Sequence, residues 1–159
     1  MKKFSLMQVV PALVSGGVEQ GTVDLANHIA EKNIKNHIVS SGGKMMSYLN
    51  KKYVDHHLEK VDSKNLFKMP FIASKLNSII KKNNINLLHI RSRAPAWLLP
   101  YIQKKKLKTI STFHNVYGDN NIFKRIYNKG LSRTDHIVAI SKYVSDEITK
   151  KYNINPNKI

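Results

Sequence analysis

Four short segments of the sequence carry groups that could bind or transform a ligand. Each segment follows a predicted strand, and together they contain Gly16, Gly17 and Glu19, then Arg91 and Arg93, then His114 and Asn115, and finally Ser141. Glycine N–H groups at the start of a helix and arginine guanidinium groups bind anions. A histidine titrates near neutral pH and can act as a general base or hydrogen-bond a substrate hydroxyl. This set of groups would suit a phosphorylated ligand.

The glycine-rich segment, SGGVEQG, occupies residues 15–21 and differs from the known phosphate-binding fingerprints. It lacks the G-x-G-x-x-G spacing of dinucleotide-binding domains, and the chain contains no G-x-x-x-x-G-K-[ST] motif. Two adjacent glycines before a helix let the backbone adopt positive φ and let a ligand approach the exposed N–H groups. The segment is therefore either an anion-binding turn or a plain connection. Glu19 is favourable in the first helical turn in both cases.

Arg91 and Arg93 stand out because the chain contains only four arginines among its 27 basic residues. A guanidinium group binds phosphate or carboxylate in two-point geometry, which the ammonium group of lysine cannot do. Alternate residues at a strand end point to opposite sides, so both arginines reach one ligand only if the loop turns. The alternative is a structural role, in which they bind loop carbonyls. His114 is likewise either catalytic or structural, and the spacing of the other six histidines indicates no metal site.

Apolar periodicity predicts strands that alternate with helices along the chain. Predicted strands lie at 4–10, 36–41, 56–61, 86–91, 107–113 and 136–140, and predicted helices at 18–32, 44–52, 70–82, 95–105, 122–130 and 142–152, the last with Ser141 as N-cap. The strand at 86–91 is apolar enough to be buried on both faces. This alternation indicates an α/β fold, a Rossmann-like doubly wound parallel sheet with helices on both faces. Such sheets bind ligands beyond the carboxyl ends of their strands, where the four segments lie.

The composition describes one domain of 159 residues with no cysteine and a formal net charge of +17. The missing thiols exclude a disulfide framework, a thiolate metal site and a cysteine nucleophile. No apolar run reaches the roughly 18 to 20 residues of a membrane span, so we expect a cytoplasmic protein that does not cross a membrane. The charge has two interpretations. Abundant lysine, asparagine and isoleucine are typical of AT-rich genomes, whereas a basic surface attracts a polyanion such as an anionic membrane or a nucleic acid.

Several motifs resemble those of family-4 glycosyltransferases. The segment Val9-Val10-Pro11-Ala12-Leu13 and the GGVEQGTVDLA after it resemble the amino-terminal signature of this family. The chain also resembles a bacterial subgroup concerned with cell-envelope polysaccharide or lipopolysaccharide sugars, in LLHIRSRAPAW, TISTFHNVY, the pair Tyr127-Asn128 and HIVAISKYVSDEI. The order and spacing of these motifs match over essentially the whole chain, which makes the combination more specific than any single motif.

The resemblance implies a GT-B architecture, in which two Rossmann-like domains face each other across a cleft and no metal ion is required. The amino-terminal domain binds mainly the acceptor. The carboxyl-terminal domain binds the nucleotide-sugar and carries an E-x7-E motif. Residues 1–159 would then be the acceptor-side domain alone, with the nucleotide-sugar domain absent, since the sequence contains no such glutamate pair.

The same resemblance assigns a role to each of the four segments. Gly16, Gly17 and Glu19 would form the cleft loop near the donor phosphates. His114 would lie near the reacting sugar as the catalytic residue. The acceptor side would be formed by Arg91, Arg93, Asn115 and Ser141. Cationic and N–H groups in this arrangement would stabilise the departing diphosphate electrostatically.

We therefore expect the acceptor-binding half of a hexosyltransferase-type enzyme, which transfers a sugar from a nucleotide-sugar to a lipid-linked or lipopolysaccharide acceptor without cofactor or metal. An isolated half is expected to be inactive. The chain would be a piece cut at a domain boundary, the product of a frameshifted gene, or one half of a split enzyme whose carboxyl-terminal domain is encoded separately. Its basic surface would meet the anionic inner face of the membrane as a peripheral protein.

Two other classes of protein remain as alternatives. A Rossmann-type oxidoreductase would need the dinucleotide fingerprint and an acidic residue after the second strand, and the sequence has neither. A non-enzymatic basic module would bind an anionic membrane or a nucleic acid through charge alone. The sequence shows no RNP-type aromatic pattern and no zinc-finger spacing, and Trp97 is expected to pack in the core. We therefore expect no specific nucleic-acid partner.

Overall fold

Six parallel strands form one sheet in the computed structural model, which describes residues 4–63, 65–103, 105–118 and 120–159. The strands are β1 (Leu6–Val9), β2 (Asn36–Ser40), β3 (Val54–Leu58), β4 (Leu87–Ile90), β5 (Lys108–Phe113) and β6 (His136–Ala139). Their order is β3-β2-β1-β4-β5-β6, so the first strand of the chain lies inside the sheet, between β2 and β4. Every neighbouring pair is parallel, and Leu6 of β1 pairs with Leu87 of β4. The predicted Rossmann-like sheet is confirmed.

Helices connect the strands and cover both faces of the sheet. The α-helices are α1 (Gly17–Glu31), α2 (Met69–Lys82), α3 (Arg93–Ala96), α4 (Ile122–Lys129) and α5 (Lys142–Tyr152), and short 3-10 helices lie at Lys44–Tyr48, Leu66–Lys68, Leu99–Tyr101, Gly130–Arg133 and Pro156–Lys158. On one face, Val23 and Ala26 of α1 bury with Ile38 of β2. On the other face, Leu76 of α2 and Ile148 of α5 join the larger apolar cluster. From β1 the sheet extends to β3 in one direction and to β6 in the other. Because every crossover is right-handed, the helices of the two halves lie on opposite faces.

Two predicted helices are wrong in length or type. The helix predicted at 95–105 is replaced by α3, which has four residues, and by the 3-10 helix Leu99–Tyr101. Pro100 has no N–H to donate, and in an α-helix its ring would clash with the carbonyl of the residue four positions earlier. A regular α-helix therefore cannot continue through Pro100. The helix predicted at 44–52 is the 3-10 helix Lys44–Tyr48, in which the Ser47 hydroxyl donates to the Lys44 carbonyl at 2.8 Å and competes with α-helical bonding. The other elements agree with the predictions to within a few residues.

Three local predictions agree with the structure. Leu88, His89 and Ile90 of β4 are buried, as the apolar sequence of that strand predicts. Ser141 caps α5, since the N–H of Val144 donates to its Oγ at 3.2 Å. Trp97 packs against the larger core, and its indole stacks on the ring of a tyrosine in α4. In the part of the chain that the structure describes, no helix has the length and apolar composition needed to cross a bilayer.

Candidate ligand-binding site

The segment between β1 and α1 is held in place by the loop that follows β2. The N–H of Ser41 donates to the Pro11 carbonyl at 2.9 Å, and the N–H of Leu13 donates to the Gly42 carbonyl at 2.8 Å. Gly43 has a φ of +142°, and a Cβ at this position would overlap the Leu13 carbonyl. Glycine therefore lets the two loops approach this closely, and their contact fixes the start of α1 at the carboxyl edge of the sheet.

The start of α1 is an exposed turn made of the two glycines of the predicted cleft loop. Gly16 is the N-cap, and its φ of +123° is a conformation that other residues rarely adopt. The Glu19 carboxylate folds back over it, since a Cβ on residue 16 would lie 2.7 Å from Glu19 Oε2. A Cβ on residue 17 would meet no atom within 4 Å, so Gly17 faces open space. First-turn N–H groups have no intrahelical acceptor, which makes this turn able to bind an anion or a hydroxyl.

Arg91 lies immediately after β4 and is buried against α1. It is 7% exposed, and its Nη2 donates to the Val18 carbonyl across 3.5 Å. Among the described residues its Nε has no hydrogen-bond partner, and no carboxylate there forms an ion pair with its guanidinium. A buried cation without a counter-charge is unfavourable unless a ligand supplies one. Arg91 is therefore the strongest candidate for an anion-binding residue.

Gly21 provides the space that Arg91 occupies. A Cβ on residue 21 would lie 2.9 Å from Nη2 of Arg91. Glycine inside a helix costs about 1 kcal/mol relative to alanine, and here it lets the guanidinium lie against α1. Gly21 is not among the predicted site residues, although the sequence contains a signal for it. It is the last glycine of SGGVEQG, inside a predicted helix, where a glycine indicates close packing.

Two histidines lie beside Arg91. His114 follows β5, and its Nε2 is buried without a hydrogen-bond partner among the described residues. Burial, and then the charge of Arg91, lower the pKa of His114. His89 of β4 shares a 2.7 Å hydrogen bond between its Nε2 and Oγ1 of Thr112, and burial, followed by the charges of Arg91 and His114, lowers its pKa to about 3. Both imidazoles are therefore neutral at neutral pH, and the buried Nε2 of His114 is a polar atom left unsatisfied by the described residues.

The two arginines point in different directions. Nη1 of Arg93 donates to Oδ1 of Asn128 at 2.9 Å, and the guanidinium lies 4.0 Å from the ring centre of Tyr117. Nδ2 of Asn128 in turn donates to the Gly118 carbonyl at 2.9 Å. Arg93 therefore holds the segment after β5 against α4, which is the structural alternative considered for the arginines. The structure does not bring it together with Arg91.

Asn115 and Ser141 are exposed at the same edge of the sheet, and each has a local structural role. Oδ1 of Asn115 accepts the N–H of Val116 at 2.8 Å. The Ser141 hydroxyl is the N-cap of α5. Of the predicted site residues, the structure thus brings Arg91 against the start of α1 and beside His114, whereas Arg93, Asn115 and Ser141 have other partners.

These groups have the chemistry to bind an anionic ligand and to hydrogen-bond a hydroxyl. The guanidinium binds phosphate or carboxylate, the α1 turn binds phosphate, and a neutral imidazole accepts a proton or a hydrogen bond from a hydroxyl. Within the described ranges, no three histidine, aspartate or glutamate side chains come close enough to hold a metal ion.

The six parallel strands in the order β3-β2-β1-β4-β5-β6, with helices on both faces, define a Rossmann-like domain. The sequence model of Glycosyltransferase Family 4 matches residues 15–159, and the chain belongs to this family.

Individual relatives agree with this assignment. A glycosyltransferase from Rickettsia africae is 38% identical, and its crystal structure superposes with a TM-score of 0.83 over 100% of this chain and 42% of its own. N-acetyl-alpha-D-glucosaminyl L-malate synthase from Bacillus anthracis is 25% identical over 91% of this chain and 40% of its own. HepE from Anabaena, crystallised with UDP and glucose, shares the fold with a TM-score of 0.70 at 10% identity, over 96% of this chain and 42% of its own. The chain therefore spans about two fifths of the length of these relatives, and its fold is the amino-terminal half of a GT-B glycosyltransferase.

Proposed function

We propose that residues 1–159 form the acceptor-binding half of an enzyme that transfers a sugar from a nucleotide-sugar to a lipid-linked or lipopolysaccharide glycan of the cell envelope. The observation that carries the proposal is the buried guanidinium of Arg91, which has no ion-pair partner among the described residues and lies beside the neutral imidazole of His114. Family membership and the GT-B fold support it. An anionic group of the acceptor would supply the counter-charge that Arg91 lacks.

Each group of the candidate site has its own task in this proposal. Arg91 binds the phosphate that joins the acceptor glycan to its lipid. The ring nitrogen of His114 accepts a hydrogen bond from the acceptor hydroxyl and takes up its proton as the glycosidic bond forms. The N–H groups of the turn at Gly16 and Gly17 donate to the donor diphosphate and stabilise the charge that develops as it departs. We expect no metal ion to take part.

We further propose that these residues do not catalyse transfer alone. The glutamate pair that the family resemblance places in the donor-binding domain does not occur in the sequence. The chain also spans about two fifths of its relatives. A carboxyl-terminal half, encoded in the same gene or in a separate one, would bind the nucleotide part of the donor.

The test uses a fusion protein. In it, residues 1–159 replace the part of the Rickettsia africae enzyme that this chain matches, and the rest of that enzyme is kept. The fusion and the 159-residue chain are incubated with a panel of nucleotide-sugars and with lipid-linked and soluble acceptors. We expect transfer by the fusion and none by the chain alone. His114→Ala should lower kcat of the fusion by about 10²-fold or more. The matched variant His28→Ala removes an exposed imidazole of α1 and should leave kcat unchanged.

Two results would contradict the proposal. Transfer by the 159-residue chain alone at an enzymatic rate would show that it is more than an acceptor-binding half. An equal loss of kcat in both histidine variants would show that His114 has no special part in the reaction.

A small carboxylic acid is the second candidate acceptor. The Bacillus anthracis relative is by name an N-acetyl-alpha-D-glucosaminyl L-malate synthase. A guanidinium group such as that of Arg91 binds carboxylate as well as phosphate. L-malate is therefore included among the soluble acceptors, and transfer to it without transfer to lipid-linked glycans would replace the lipid-linked acceptor.

A further inference from the structure

The segment that follows β5 closes into a turn around its own tyrosine. We call residues 114–118 the histidine turn, because His114 is its first residue. The phenol oxygen of Tyr117 forms a hydrogen bond with the backbone of His114, so the fourth residue of the turn is tied back to the first. The ring of Tyr117 packs against that of Phe113, the last residue of β5, with 6.4 Å between the ring centres. The backbone of His114 is therefore held by β5 on one side and by Tyr117 on the other.

Side chains from two helices hold the far end of the histidine turn. Nζ of Lys151, in α5, donates to the Tyr117 carbonyl at 2.9 Å. Nδ2 of Asn128, in α4, donates to the Gly118 carbonyl at 2.9 Å. Asn128 is buried, and a buried amide group is unfavourable unless its hydrogen bonds are made. The last two carbonyls of the turn are thus fixed to packed helices.

Arg93 of α3 contacts both the tyrosine and the asparagine of this arrangement. Its guanidinium lies 4.0 Å from the ring centre of Tyr117, within the range of a cation–π contact. Its Nη1 donates to Oδ1 of Asn128 at 2.9 Å. Because the amide oxygen of Asn128 accepts from Arg93, the amide nitrogen is directed at the Gly118 carbonyl. Arg93 therefore fixes the orientation of Asn128 as well as the ring of Tyr117.

These two contacts need the shape of a guanidinium group. A planar guanidinium can lie over an aromatic ring and donate hydrogen bonds from its edge at the same time, whereas the ammonium group of lysine is a compact point charge. This accounts for an arginine at position 93 in a chain that has only four arginines among its 27 basic residues.

The histidine turn sets the position of the His114 imidazole. Nε2 of this ring has no hydrogen-bond partner among the described residues, so no bond at that atom orients it. Burial, and then the charge of Arg91, lower the pKa of His114, and both effects depend on where the ring lies. A general base displaced by about 1 Å can lose most of its effect on the rate. A turn that keeps the imidazole in place therefore matters for a reaction that uses it.

We propose that Arg93 is a positioning residue for His114. Arg93 holds the ring of Tyr117 and the amide of Asn128, and these hold the histidine turn, which keeps the imidazole beside Arg91. Arg93 itself does not contact the acceptor. The benefit to catalysis rests on the proposed function, in which His114 takes up the proton of the acceptor hydroxyl. The position of the imidazole is a property of the 159-residue chain and is measured without sugar transfer.

The first test measures the pKa of His114 in the purified 159-residue chain by NMR titration, with His114→Gln to assign its signal. Arg93→Met removes the guanidinium and keeps an apolar stem. We expect it to raise the pKa of His114 toward 6.5, because a loosened turn exposes the ring to water and moves it away from Arg91. Arg93→Lys keeps the charge but not the fork, and should also raise this pKa. Arg133→Met is the matched control. It removes a guanidinium that lies 4.7 Å from the ring centre of Trp97, and it should leave the pKa unchanged.

Tyr117→Phe is a milder variant of the same arrangement. It keeps the ring beneath Arg93 and removes only the phenol oxygen that is bonded to the backbone of His114. We expect a smaller rise in the pKa of His114. The amide spectrum of each variant shows whether the fold is kept, so Tyr117→Phe keeps the proposal testable even if Arg93→Met unfolds the chain.

The second test uses the fusion protein. Arg93→Met should lower kcat by about tenfold or more, because the imidazole is displaced from the reacting hydroxyl. It should leave KM for the acceptor within about twofold of the wild-type value, because a positioning residue does not bind the acceptor. Arg133→Met should change neither constant.

Three results would overturn the proposal. The first is a pKa of His114 that is the same in the wild type, Arg93→Met and Tyr117→Phe. The second is a wild-type pKa in Arg93→Lys, which would show that charge alone acts on His114. The third is a raised KM with unchanged kcat in Arg93→Met, which would make Arg93 an acceptor-binding residue. A fusion that transfers no sugar would instead count against the proposed function, whereas the NMR titration would still report the position of His114.

Discussion

Acid should destabilise the domain through His89, whose imidazole is 6% exposed and hydrogen-bonded to Thr112 in the folded chain. Burial, then the charges of Arg91 and His114, lower its pKa from 6.5 to about 3. Between these two pH values the unfolded chain binds one more proton at this residue than the folded chain does. The contribution of His89 to stability is therefore complete above pH 6.5 and is lost as the pH falls toward 3.

The size of the effect follows from the proton difference. One extra proton bound by the unfolded chain lowers the free energy of unfolding by about 1.4 kcal/mol per pH unit. From pH 6.5 to about pH 5, the loss through His89 is therefore about 2 kcal/mol. His37 acts in the same direction, because burial lowers its pKa to about 4. A substitution at His89 separates its share from that of His37.

The assay is urea unfolding near pH 7 and pH 5, followed by Trp97 fluorescence. Glutamine can hydrogen-bond Thr112 but binds no proton, so His89→Gln should lose about 2 kcal/mol less than the wild type between the two pH values. His28→Gln is the control, since this imidazole is exposed and its replacement should leave the wild-type loss unchanged. Equal losses in the wild type and His89→Gln would refute the reasoning, because His89 would then take up no extra proton on unfolding.

Two further predictions concern glycines. Gly43→Ala should lower the free energy of unfolding by at least about 2 kcal/mol, because its Cβ would overlap the Leu13 carbonyl at a strained φ. Urea unfolding measures this, and Gly17→Ala, whose Cβ meets open space, should show no such loss. Gly21→Ala should stay within about 1 kcal/mol of wild-type stability, since better helix propensity offsets the displacement of a flexible side chain. By displacing Arg91 it should raise KM for the acceptor about tenfold in the fusion protein, and an unchanged KM would show that Arg91 does not bind the acceptor.

The alternation of strands and helices could be predicted because each element carries a local signal. β4 reads as a short apolar run, and Ser141 is a polar cap directly before a periodic helix. The two helices that were predicted wrongly, at 95–105 and 44–52, depend instead on the contacts of single residues. Pro100 breaks the helix predicted after β4. The 3-10 helix Lys44–Tyr48 begins with the N–H of Met45 bonded to the Leu13 carbonyl, a partner distant in sequence.

The location of the candidate site could also be predicted, whereas the directions of its side chains could not. Parallel strands place all segments that follow them at one edge, so the position of Arg91 and His114 follows from the strand pattern. The separation of Arg93 from Arg91 depends on its contact with Asn128, which is 35 residues away in sequence. The space for Arg91 depends on Gly21, on a different element. The roles of these residues in catalysis stay predictions.

The interior position of β1 has a consequence for how the chain folds. β1 can pair with β2 once the single helix between them has formed. The other edge of β1 stays unpaired until β4 has been synthesised and has docked. The N–H of Ser5 bonds to the side chain of Asn86, and the two are 81 residues apart. A loop this long costs entropy to close before the contacts that compensate for it can form. The half of the sheet that contains β4, β5 and β6 should therefore assemble late. Until β4 has been synthesised, the edge of β1 that it will occupy should be open, and an open strand edge can pair with another chain.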